Sequence, residues 1–135
     1  MQKLIISLSV AFFGFILWMI YLANTGQSSI FFELVASIPY GDKVGHVVLF
    51  GSLALFVNAS CRFRSFHLRN IPVYWGTAVV WLFVSAEEAS QYFVDTRTLD
   101  GLDYMADMIG IGLATLLSAQ LQRYVEKSGQ HESQS

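Results

Sequence analysis

Charge is what this sequence has least of. Lys, Arg, Asp and Glu together make up 13% of its 135 residues, whereas a soluble domain devotes about a quarter of its residues to charge. So few ionic groups cannot cover a water-facing surface, which points to lipid as the solvent. Cysteine is nearly absent as well: Cys61 stands alone, which excludes an internal disulfide and leaves the redox compartment open. A single cysteine near the end of an apolar run reads as a small apolar residue. There is no nucleophile elbow, phosphate loop or zinc-helix motif, and no internal repeat, linker or second domain. The net charge of -2 gives no footing for nucleic-acid binding. What the chain does have is apolar: 54% hydrophobic and 15% aromatic residues, with a mean hydropathy of +0.49.

A helix crossing the hydrocarbon core needs about 20 apolar residues. Four segments qualify, from Leu4 to Ala23, Val44 to Cys61, Val73 to Val94 and Tyr104 to Leu121. Membrane strands are about half as long and alternate in character, so the runs read as helices. Lys and Arg mark the cytoplasmic side of short loops. The loop between the second and third spans carries Arg62, Arg64 and Arg69 and no acid, while the loops on either side offer only Lys43 and Arg97. That middle loop is therefore expected inside, and Lys3, Arg123 and Lys127 place both termini with it. Aromatic residues frame the same spans: Tyr74, Trp75 and Tyr124 at the inner level, Trp18, Tyr21, Tyr40, Tyr92 and Tyr104 at the outer. The first span is longer than the apolar part of a signal peptide and lacks a small-x-small cleavage site, so it is expected to be retained.

In the first outer loop Phe31, Leu34, Val35 and Ile38 fall at helical spacing, predicting a short interfacial helix that ends before Pro39 and Gly41. The expected fold is an all-α membrane protein. Residues 1–125 form a four-transmembrane-helix bundle with N and C termini cytoplasmic, and 126–135 form a polar, disordered tail.

Ionisable residues inside a span cost at least about 2.5 kcal/mol each at the membrane centre and usually face other helices. Here they gather at one level. Asp42 and His46 open the second span at i,i+4; Glu87, Glu88 and Gln91 lie in the outer third of the third; Asp103 and Asp107 sit i,i+4 apart on the fourth; Arg97 and Asp100 are in the loop between. On the fourth span Asp103, Asp107, Gly110, Ala114 and Ser118 form a polar-then-small stripe, while Leu102, Met105, Ile109, Leu113 and Leu116 lie elsewhere. Small residues let helices approach closely in lipid, so the carboxylates are expected to face the bundle interior. Crowded acids at low dielectric need protons or cations to share the site. His46 and Arg97 are the natural internal partners, Lys43 a more exposed one, and a divalent cation held by His46, Glu88, Asp103 and Asp107 a further candidate, although the spacing matches no tight metal motif.

The ordered set Asp42-Lys43-x-x-His46, Glu88-x-x-Gln91-x-Phe93, Arg97, Asp103, Asp107 and Gly110 resembles the VanZ-like family of small bacterial integral membrane proteins, over about two thirds of the chain. The resemblance implies a multi-pass protein of the bacterial cytoplasmic (inner) membrane with a role in the cell envelope. Members named for glycopeptide resistance are associated with tolerance of teicoplanin, which acts on cell-wall precursors at the outer face. Two departures from the family pattern stand out: Asp107, where asparagine is frequent, and Glu87 beside the matching Glu88.

Three functional readings follow. The preferred one is a site for the head group of an envelope lipid or lipid-linked precursor, with Lys43, His46, Gln91 and Arg97 toward the lipid or phosphate and a divalent cation between acids and phosphate. If it is catalytic, His46 is the general acid or base, Glu88 its orienter, and Asp103 with Asp107 the proton or cation partners. The second reading is an interhelical polar network without a ligand. The third is a small proton or cation transporter, for which the inner halves of the spans offer little beyond Ser, Thr, Gly and Asn58.

Overall fold

A computed structural model describes residues 1–27, 29–95 and 100–135. The chain runs as α1 (Gln2–Asn24), α2 (Ile30–Ala36), α3 (Gly41–Ser60), β1 (Ser65–Leu68), β2 (Ile71–Tyr74), α4 (Trp75–Gln91) and α5 (Gly101–Gln134). Among the described residues three helices, α1, α3 and α5, are long and apolar enough to cross a membrane. This is a predominantly helical, membrane-embedded protein. The third expected span is shorter than its apolar run: α4 has 17 residues, about 26 Å at 1.5 Å per residue.

Each helix has a local reason for its limits. Ser29 caps α2, its Oγ accepting from the Phe32 N–H at 3.3 Å. The predicted short helix in the first outer loop is thus present, and it ends before Pro39. Tyr40 then takes a left-handed conformation, φ 56°, and the chain turns directly into α3. Gly41 at that corner leaves no room for a side chain, since an added Cβ would collide with the Val35 carbonyl oxygen.

The bundle is ordered by antiparallel neighbours. Gln2 Nε2 donates to the Ser60 carbonyl at 2.8 Å, and the Ser9 and Ser60 hydroxyls meet at 2.7 Å, so the start of α1 lies beside the end of α3. The Tyr74 hydroxyl donates to Gln122 Oε1 at 2.9 Å, which puts the start of α4 at the same end, beside the lower part of α5. Helices α3 and α5 therefore run parallel, with α1 and α4 antiparallel to both. Their shared core is Ile16, Phe50, Leu53, Ala54, Val80, Val84, Ile111 and Ala114. Leu102, Met105, Ile109, Leu113 and Leu116 are all more than half exposed, the bulky outward face that the α5 spacing predicts.

Helices α3 and α5 meet through glycine. An added Cβ on Gly51 would lie 3.0 Å from the Gly110 carbonyl oxygen, and one on Gly110 would lie 3.0 Å from Val47 Cα. Backbones this close gain dispersion contacts that lipid tails cannot match.

Two expectations change. The arginine-bearing connector is a β-hairpin, with Ser65 opposite Tyr74 and Leu68 opposite Ile71, so the chain is not all-α. Arg69 makes its tight turn at φ 58°. Val73 and Tyr74, expected inside the third span, belong to β2. Second, the segment expected as a disordered tail at 126–135 is a continuation of α5 through Gln134, with every residue exposed.

Candidate polar site at one end of the bundle

Lys43 is the hub of the site. Its Nζ donates to Asp42 Oδ2 at 2.9 Å, to Asp100 Oδ2 at 2.8 Å and to Asp103 Oδ1. Parallel packing makes this possible, because it places the first turn of α3 beside the first turn of α5. Asp100 is also the N-cap of α5, its Oδ1 accepting from the Leu102 N–H at 2.9 Å. The Lys43 ammonium, with help from that N–H, holds the Asp100 carboxyl below the usual carboxylate range.

One turn deeper, His46 reaches the same helix. Its Nδ1 lies 2.7 Å from Asp107 Oδ1 and its Nε2 3.8 Å from Asp103 Oδ2. With Asp107 ionised, its oxygen accepts and Nδ1 carries the proton in this pair. Asp107 is fully buried. Val47, next to His46, is the residue packed on Gly110, so the glycine contact sets the separation across which His46 and Asp107 bond.

Helix α4 brings acids from the other side. Gln91, 1% exposed, donates from Nε2 to both carboxylate oxygens of Glu87 at 3.1 Å. Glu88 is also buried, within electrostatic range of Glu87, Asp103, Asp107 and His46. Among the described residues neither Glu88 oxygen has a hydrogen-bond partner, nor does Asp107 Oδ2. Below Glu88, the Ser85 and Tyr104 hydroxyls bond at 2.9 Å and tie α4 to α5.

The polar residues of the three helices thus gather at one end of the bundle, as their spacing predicts, but their pairings differ from expectation. Lys43, expected to be more exposed than the other partners, makes the most ionic contacts. Glu88 is not hydrogen-bonded to His46; Asp107 holds the orienting position. Gln91 donates to the neighbouring Glu87 on its own helix. Among the described residues no three His, Cys, Asp or Glu side chains are placed to hold a metal ion, so His46, Glu88, Asp103 and Asp107 do not form a ligand sphere. Arg97 lies outside the described residues.

A second polar group lies in the other half of the bundle. Asn58, fully buried, donates to Thr77 Oγ1 at 3.0 Å and to Ser118 Oγ at 3.1 Å, and Thr77 and Thr115 meet at 2.9 Å. Gly76 is required there, because an added Cβ would run into the Asn58 backbone and side chain. Sequence offered one cue, a lone Asn in an apolar run. Between this group and the acid cluster lies the apolar core of Phe50, Leu53, Ala54, Val80, Val84, Ile111 and Ala114, with the Ser85–Tyr104 pair at its edge.

No family model, curated protein or solved structure matches this chain.

Proposed function

We propose that the chain crosses the bacterial cytoplasmic membrane four times, with both termini and the arginine-bearing hairpin inside, and that the Lys43 cluster holds the head group of an envelope lipid or lipid-linked precursor at the outer leaflet. Helices α1, α3 and α5 have the length and apolarity of spans. Helix α4 runs between the same two ends with Val79, Trp81 and Leu82 exposed, so modest local thinning or tilting of its neighbours accommodates it. Arg62, Arg64 and Arg69 at the hairpin end, against Lys43 among the described residues at the other, agree with the positive-inside rule. The resemblance to VanZ-like proteins extends the proposal to a cell-envelope role, with tolerance of glycopeptide-type antibiotics as its phenotype.

The observation that carries this reading is the pair Glu88 and Asp107: buried carboxylates near the ends of their helices with oxygens that have no hydrogen-bond partner among the described residues. A site that only tied helices together would satisfy its own oxygens. Native mass spectrometry on gently purified protein tests it. Wild type is expected to retain a lipid that Glu88→Gln releases, while the variant accumulates and folds normally. A bare wild-type chain refutes the ligand reading.

The interhelical network is the second reading, favoured by Lys43 and His46, which already bond α3 to α5. It expects Glu88→Gln and Asp103→Asn to lower accumulation without leaving a folded, inactive protein. Transport has less support, because the apolar core separates the two polar groups within one copy. Cysteine labelling at Ser65 and at Asp42 tests orientation: only the latter is expected to react from outside.

A further inference from the structure

Three carboxylate oxygens of the cluster, both of Glu88 and Oδ2 of Asp107, lack donors among the described residues, on residues that are 7% and 0% exposed. Burying an ionised oxygen without a hydrogen bond is costly. Among the described residues Lys43 is bonded to three aspartates, Gln91 to Glu87, and His46 Nδ1 to the other oxygen of Asp107. The absence of a metal-holding group among the described residues favours an occupant that brings its own N–H donors over a bare cation.

From these oxygens we infer that Glu88 and Asp107 receive a primary ammonium group carried by the lipid head group. The inference rests on the head-group reading above and names its chemistry. A primary ammonium is compact, carries one positive charge and offers three donors to three orphan acceptors. Its bonds to carboxylates are of the strong, charge-assisted kind. A trimethylated ammonium carries the same charge and no N–H, so it leaves the three oxygens unsatisfied. The lipid's apolar portion has a place to begin. His46 and Glu87 border a cavity of about 110 Å³ otherwise lined by apolar residues of α1, α2 and α3, among them Ile16, Ile20, Phe32 and Phe50. That volume takes a few methylene groups beside Glu87, the neighbour of Glu88 on α4.

The test uses the full chain in bilayer nanodiscs containing equal parts of phosphatidylcholine, phosphatidylethanolamine and phosphatidylglycerol, with retained lipid read by native mass spectrometry. Phosphatidylethanolamine is expected to be retained over phosphatidylcholine by about tenfold or more, the scale of a charge-assisted hydrogen bond. Glu88→Gln and Asp107→Asn are each expected to bring that ratio close to one. The wild-type comparison needs no variant, so a folding defect cannot obscure it. Equal retention of the choline and ethanolamine lipids, or preference for phosphatidylglycerol, overturns the ammonium and leaves a head-group site standing. No retained lipid, together with an infrared band of a protonated carboxylic acid that Glu88→Gln removes, assigns a proton to the site and overturns the head-group reading too. Titration of detergent-solubilised protein with free ethanolamine separates the sources. Binding as tight as the lipid's keeps the ammonium and makes a soluble amine its carrier; negligible binding keeps the lipid.

Discussion

Replacing Gly110 by alanine adds one methyl group at the contact between α3 and α5. That Cβ would lie 3.0 Å from Val47 Cα and 3.1 Å from the Gly51 N, and would overlap the Val47 carbonyl oxygen. All three are backbone atoms, so no side-chain rotation relieves the overlap and α3 and α5 must separate. Overpacking of this kind costs typically about 1–3 kcal/mol, offset by about 0.5–1 kcal/mol because alanine is the better helix former. A net loss of up to about 2.5 kcal/mol follows for Gly110→Ala. Gly112, two residues on, is the control: nothing lies within 4 Å of its added Cβ, so Gly112→Ala keeps the propensity gain and loses nothing. Reversible unfolding in mild detergent, driven by added denaturing detergent and followed by circular dichroism, measures both. Separation of the helices also lengthens the His46–Asp107 hydrogen bond, so Gly110→Ala is expected to lose retained lipid in parallel. Equal or greater stability of Gly110→Ala relative to Gly112→Ala would refute the glycine contact and the register that depends on it.

Removing the Lys43 charge leaves three carboxylates without their common donor. Lys43→Met is expected to destabilise by about 1–3 kcal/mol, less than a fully buried pair because the side chain is 23% exposed. Combining it with Asp103→Asn should recover part of the loss, read as a coupling energy in a double-mutant cycle; strict additivity would refute the ion pair. Asp100 has a carboxyl held below its usual value of 3.8, so its contribution to stability is complete above that value and disappears as pH falls through the lower, folded one. The gap in thermal midpoint between wild type and Asp100→Asn, which keeps a good N-cap, should therefore be constant from pH 5 to 8 and close in acid. A gap that widens in acid would contradict the assignment.

Much of this was legible because lipid imposes a coarse rule: an apolar run of membrane length becomes a helix. The faces of α5 were legible too, since Asp107, Gly110, Ala114 and Ser118 repeat at helical spacing and all are buried. Pairings were not. Lys43 reads as a surface charge on the first turn of a helix, and only the parallel packing of α3 and α5 brings Asp100 and Asp103 to it. Spacing along α4 puts Glu88 at the right depth but does not fix its rotation about the helix axis, so Asp107 took the place beside His46. The hairpin was hidden because Ile71 to Tyr74 is continuous with the apolar run of α4, and nothing local foretells that Arg69 adopts a left-handed turn.

Between the acid cluster and the Asn58 group lies a slab of aliphatic and aromatic side chains, and His46 and Asn58 are about 18 Å apart along α3. No hydrogen bond among the described residues joins the two groups across that slab. The Asn58 end can therefore serve as an anchor that is strengthened or tagged by engineering while the chemistry at the opposite end continues unchanged.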